Sequence, residues 1–239
     1  MAGSRQELLI HDLPQLRNSF HVFRDRADAG MHLANMLEDC RGSGALVMAV
    51  PAGGVPVGVT VARELELALD LAVVSKITLP WSTESGYGAV AFDGTVMLNE
   101  KLLPDLGLSD DQIQEGITRT REKVRRRSRE LRGDQPIPEL SGRTVILVDD
   151  GLASGFTMKV AVQALRNQRC REILAATPTA HEQAAASVAQ VAEAVYCPNL
   201  RHGWQFAVAD AYEEWYDVSE DEVRALLAEF ETFRSSANR

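Results

Sequence analysis

The sequence is short of the features that would tie the chain to a membrane, a metal or an oxidising compartment. Its three cysteines, Cys40, Cys170 and Cys197, are odd in number and far apart, with no Cys-x-x-Cys pair. That spacing favours reduced thiols in a cytoplasm over a disulfide framework or a zinc site. His181 and His202 stand alone, without ligand spacing around either, and read as surface or capping residues. No apolar run approaches the length of a membrane span, and the opening MAGSRQELLI lacks the apolar core of a signal peptide. A cytoplasmic location is therefore expected. An excess of positive charge is also missing. The net charge of −9 argues against general nucleic-acid binding and against anionic membrane surfaces. What remains is ordinary: 239 residues, 45% hydrophobic and 25% charged, suit one α/β domain with an appended or inserted segment.

Against that background one stretch carries most of the chemistry, VILVDDGLASGFTMK at residues 145–159. Val145 to Val148 make a short buried strand, and two adjacent carboxylates, Asp149 and Asp150, follow at its carboxyl end. Gly151, Ala153, Ser154 and Gly155 form a small-residue loop, and the helix behind it places Met158, Ala161, Val162 and Leu165 on one face. In open α/β sheets ligands bind beyond the carboxyl ends of the strands, and a helix N-terminus favours an anion. Such an element suits a ligand with hydroxyls at one end and a phosphate at the other. The carboxylates accept from the hydroxyls, while the amides of Ala153, Ser154, Gly155, Phe156 and Thr157, with two hydroxyls, cradle the phosphate.

This stretch resembles the phosphoribosyl pyrophosphate signature of type I phosphoribosyltransferases: a hydrophobic strand, two acidic residues, then a small-residue loop ending in Thr157. Most of the chain, from Phe23 to about Leu227, is similar to a bacterial group of predicted phosphoribosyltransferases with poorly defined substrates. The resemblance implies phosphoribosyl pyrophosphate carried with Mg²⁺, an unidentified nitrogen acceptor, and an α/β fold with a mostly parallel central sheet flanked by helices. It also implies a flap at about 79–98 and a small lid from the terminal segments.

Further along the chain, residues 1–22 read as an arm ahead of the main domain at 23–239, with Pro14 interrupting any helix. A helix follows Phe23, with Ala27, Met31, Ala34 and Leu37 as its apolar stripe; Arg24 and Arg26 just ahead of it read as solvated. After the buried strand Ala45–Val50 comes PAGGVPVG at 51–58. A dinucleotide fingerprint fails here, because the glycine order is wrong and Pro56 interrupts it. In the resembled family this loop takes the pyrophosphate, through Ala52, Gly53 and Gly54 here, and a basic residue usually stands where this chain has Ala52. One strand is expected from Asp70 to Ile77, with Lys76 near its end as a charge partner for the pyrophosphate. Gly86 and Gly88 read as flap hinges, and Glu84 and Tyr87 as flap side chains.

A capping box, Ser109 with Gln112, opens a long helix whose seam is Ile113, Ile117, Val124 and Leu131. Between Arg119 and Arg132 that helix carries eight basic residues against two Glu, which read as a solvated face beside a packing or homodimer seam. The last part, about 198–239, is aromatic and acidic, with Trp204, Phe206, Tyr212, Trp215 and Tyr216 before a helix at 220–230; it reads as the lid. Two functions follow. The first is a transferase in which Asp149, Asp150 and Lys76 do the central work. The second is a protein that senses phosphoribosyl pyrophosphate or a nucleotide without turnover, which Ala52 and the bulky Phe156 favour.

Overall fold

The computed structural model describes residues 9–82, 85–133 and 135–237. In chain order the first elements are β1 (Ile10–His11), α1 (Arg26–Met36), β2 (Leu46–Ala49), α2 (Gly54–Glu64), β3 (Ala68–Leu71), β4 (Val74–Thr78), β5 (Gly86–Ala91) and β6 (Val96–Leu98). Then come α3 (Leu103–Leu106), α4 (Asp110–Arg132), β7 (Thr144–Val148), α5 (Phe156–Asn167), β8 (Glu172–Ala176), β9 (Thr179–His181), α6 (Glu182–Ala189), β10 (Ala194–Tyr196), β11 (Asn199–Arg201) and α7 (Glu220–Ala237). Six strands form a parallel sheet in the order β1-β10-β8-β7-β2-β3. This is the α/β architecture that the alternating pattern leads one to expect.

Both faces of the sheet are covered, so its central strands are apolar at nearly every position. Val47, Ala49, Ile146 and Val148 face one core with α1, α2 and α7. Leu46, Met48, Val145 and Leu147 face the other with α5 and α6. The ladder between β2 and β7 pairs Ala49 with Val148, so the loops after these strands emerge side by side. That register builds the site.

Several elements depart from the sequence expectations. The strand expected at 70–77 is two: β3 ends in the main sheet, and β4 opens a separate antiparallel sheet ordered β4-β5-β6. Gly86–Ala91 and Val96–Leu98 of the expected flap are thus two strands of this second sheet, while Thr83 and Glu84 lie outside the described residues. The glycines read as hinges allow close packing instead; a Cβ on Gly88 would lie 2.7 Å from the Met97 carbonyl. The arm at 1–22 contributes β1 to the edge of the main sheet, its Ile10 aligned with Val195. The long-helix seam packs within the chain: Ile117, Val124 and Leu131 are buried in the core, and Ile113 is partly buried against it. The capping box of α4 forms as expected, the Ser109 hydroxyl accepting from the Gln112 amide and the Gln112 side chain from the Ser109 amide. Among the described residues no helix is long and apolar enough to cross a membrane.

Candidate active site

Beyond β7, Asp149 and Asp150 follow the end of the strand, partly buried, and the loop after β2 presses against them. A Cβ on Gly53 would overlap Asp150 Oδ2, and one on Gly54 would fall 2.9 Å from the Asp149 Cα. Only glycine leaves room for this approach. The amide of Asp150 donates to Asp149 Oδ1 at 2.9 Å. Burial, then the neighbouring Asp150 charge, raises the Asp149 carboxyl well above the usual range, and the nearby Lys76 ammonium partly opposes this. Burial also raises Asp150, against the pull of the Arg26 guanidinium. The pair is therefore reluctant to carry two charges at once.

The small-residue loop reaches α5 through Gly155, whose φ of +69° only glycine adopts without strain. The Ser154 hydroxyl accepts from the Phe156 amide at 3.3 Å, and Ala153 and Ser154 are exposed. Ser154, Phe156 and Thr157 line a cleft of about 930 Å³ that continues to Lys76, Gly86, Gly88 and the segment Val96–Lys101. Lys76 is exposed on β4, so its role rests on its place in the cleft and not on burial without a partner. Lys159 also lines the cleft, its Nζ 5.7 Å from the centre of the Phe156 ring. The anion end of the site thus has helix amides, two hydroxyl residues and three lysines, Lys76, Lys101 and Lys159, with Glu100 beside them. Tyr87 is not part of it: the ring is 1% exposed and its hydroxyl packs where a Cβ on Gly116 of α4 would lie. Tyr87 is a core residue, because β5 turns that face towards α4. Glu84 falls outside the described residues.

Three residues that the sequence reading left aside complete the site. Arg26 is not solvated; it is 5% exposed. Its Nε donates to Asp150 Oδ2 at 3.0 Å, Nη2 lies 2.9 Å from the same oxygen, and Nη1 donates to the Tyr216 carbonyl at 3.0 Å. Its guanidinium lies 4.0 Å from the centre of the Trp215 ring. Tyr212, also buried, donates its hydroxyl to the Asp150 carbonyl at 2.7 Å. The third is Arg127 of α4, which donates from Nη1 to the Pro51 carbonyl at 3.2 Å and from Nε to Glu220 at 2.9 Å. A cation thus stands behind the loop that carries Ala52, through its backbone and already paired. The signal for Arg26 was its spacing. It shares the buried face of α1 with Ala29, Gly30, Leu33 and Leu37, whereas Ala27 and Met31 of the expected stripe are exposed. Arg24 is exposed and pairs with Asp25, as expected of a solvated residue.

The geometry now has comparisons to set beside it. The phosphoribosyl transferase domain model matches residues 24–214. Two Mycobacterium tuberculosis proteins, from strains CDC 1551 and H37Rv and both named "Putative phosphoribosyl transferase", are 36% identical over 211 residues, 86% of this chain and 46% of theirs. The chain therefore spans just under half the length of these curated relatives. The crystal structure of TT1426 from Thermus thermophilus superposes with a TM-score of 0.70 at 31% identity, covering 87% of this chain and 98% of that one. With the domain model spanning Arg24 to Glu214, across both aspartates and both loops, the chain belongs to the phosphoribosyl transferase domain family.

Proposed function

We propose that the protein is a phosphoribosyltransferase that takes phosphoribosyl pyrophosphate with Mg²⁺ and passes the ribosyl 5′-phosphate to a nitrogen of a ring acceptor, releasing pyrophosphate. The observation that carries this reading is the meeting of Asp149 and Asp150 with Gly53 and Gly54 at the ends of adjacent parallel strands, beside the 153–157 loop. A hydroxyl-accepting pair, a close-approach loop and an anion-binding helix start are the three contacts that such a ligand needs.

In this reading the 153–157 loop anchors the 5′-phosphate, Asp149 and Asp150 hold the ribose hydroxyls, and the Gly53–Gly54 backbone faces the pyrophosphate. Lys76, at the cleft wall, balances charge as the bond from the ribose to pyrophosphate breaks and the bond to the acceptor nitrogen forms. The acceptor loses its proton in the exchange. Rate enhancement then comes mainly from positioning and from fixed charge. Magnesium suits this donor set, because it takes oxygen ligands, retains several waters, and neutralises the leaving group when carried on the pyrophosphate. The reading places the protein in the cytoplasm.

The experiment is pyrophosphate release from phosphoribosyl pyrophosphate and Mg²⁺ across a panel of purine, pyrimidine and other nitrogen rings. Release with one acceptor, lost in Asp150→Asn, supports the transferase. Binding of phosphoribosyl pyrophosphate with no release across the panel favours the second reading, a sensor of that ligand or of a nucleotide. That reading draws on Ala52 and on Arg127, whose charge is already paired with Glu220.

A further inference from the structure

The ion pair between Arg26 and Asp150 joins residues 124 positions apart and sits beside the proposed ribose subsite. A buried ion pair is a poor device for stability alone, since desolvation offsets most of its attraction. Its geometry suggests a different use. Both Nε and Nη2 of Arg26 engage the same oxygen, Oδ2 of Asp150, on the side where Gly53 leaves no space for a side chain. On the neighbouring carboxylate, Oδ1 of Asp149 is tied by the Asp150 amide. One oxygen of each carboxylate is thus held inside the protein and the two carboxyl groups lie within hydrogen-bond reach of each other, so the orientation of Asp150 sets how the pair meets a ligand. The guanidinium is itself immobilised by the Trp215 ring and the Tyr216 carbonyl, while the Tyr212 hydroxyl fixes the Asp150 backbone. The aromatic segment at 212–216 and the Asp150 carboxylate are one rigid unit through Arg26.

We propose that Arg26 is a positioning residue for ribose recognition: it orients Asp150 so that the Asp149–Asp150 pair reads the vicinal diol of the ribosyl phosphate. This rests on the phosphoribosyl reading of the site. Arg26 itself does not touch the sugar; it acts through Asp150, and the fork of its guanidinium fixes the carboxylate in a way that one ammonium does not.

The test is calorimetric titration of ribose 5-phosphate and of 2-deoxyribose 5-phosphate into wild type, Arg26→Gln and Arg26→Lys, with thermal unfolding of each to confirm folding. Wild type is expected to favour the ribose form by about tenfold, the worth of one hydrogen bond to a charged group. In Arg26→Gln the ratio falls to about one while phosphate-driven affinity persists, and Arg26→Lys is intermediate. A merely structural loosening would lower both affinities together and leave the ratio unchanged. An unchanged ratio in Arg26→Gln overturns the proposal, and should that variant not fold, an unchanged ratio in Arg26→Lys does so. If wild type binds neither sugar phosphate, the phosphoribosyl reading itself fails; if wild type discriminates and the variants discriminate equally, only the role of Arg26 falls.

Discussion

The phosphate loop and the aspartate pair beside it are built in opposite ways. At the phosphate end the amides and hydroxyls come from one contiguous segment, residues 153–157, held by the start of α5 and by the conformation of Gly155, and the lysines reach the cleft from elsewhere. At the ribose end Asp150 is held by parts of the chain far apart in sequence: Gly53 from the loop after β2, Arg26 from α1, and Tyr212 from the segment before α7. A local device can be written in five residues. A non-local one needs the whole fold to be right before any of its contacts exists. The phosphate end is thus the general anchor, and the ribose end is where the fold confers selectivity.

The sharpest way to break this contrast is Gly53→Ala. The new methyl would overlap Asp150 Oδ2, so the carboxylate or the loop must move. Affinity for phosphoribosyl pyrophosphate is expected to drop about a hundredfold, the order of losing two charged hydrogen bonds. Inorganic phosphate binding should stay within about threefold, because the other end is untouched. Equal losses for both ligands would show that the ends are not separable.

Gly155→Ala acts on the opposite end. It places a side chain at φ +69° and 3.0 Å from the Ala184 carbonyl, so about 1–2 kcal/mol of stability should be lost in denaturant titration. Both ligands should weaken together, by about tenfold, since both use the phosphate anchor. A selective loss of the sugar ligand would contradict the assignment.

The smallest effect concerns stability and pH. Burial beside Asp150 raises the Asp149 carboxyl in the folded chain, so the folded state holds a proton that the unfolded state releases near its ordinary pKa of about 3.9. Stability therefore falls as pH rises from that value through the folded pKa. Asp149→Asn removes the titration and keeps an oxygen to accept from the Asp150 amide. The variant should melt a few degrees above wild type at pH 7, with the gap closing below about pH 4. A variant that melts no higher at pH 7 would show that Asp149 is not under electrostatic strain.

What was legible in the sequence was local. The β7–loop–α5 segment, the α4 capping box and the alternation of strands and helices depend on neighbours a few residues apart, and each formed as read. The misreadings were non-local. The stripe on α1 was read from apolar residues alone, and an arginine on the buried face was passed over because its partner lies 124 residues away. Lys76 belongs to a strand that leaves the main sheet, since Ala72 and Val73 carry the same apolar character as the strands around them and mark no break. Tyr87 has a flap-like setting among Gly and Ser, and only the arrival of α4 over β5 makes it core. At the start of α7 the Glu222 amide donates to the Ser219 hydroxyl at 3.1 Å, while its carboxylate accepts from the Tyr216 hydroxyl at 2.6 Å, a partner that only the folded segment supplies.

The central claim is that the site beyond β7 holds phosphoribosyl pyrophosphate through Asp149 and Asp150. Calorimetric titration of that ligand, with and without Mg²⁺, into wild type and the Asp149→Asn, Asp150→Asn double variant tests it most directly. The account predicts magnesium-dependent binding to wild type that is weakened at least a hundredfold in the variant. No binding to wild type, or equal binding to both, would contradict it.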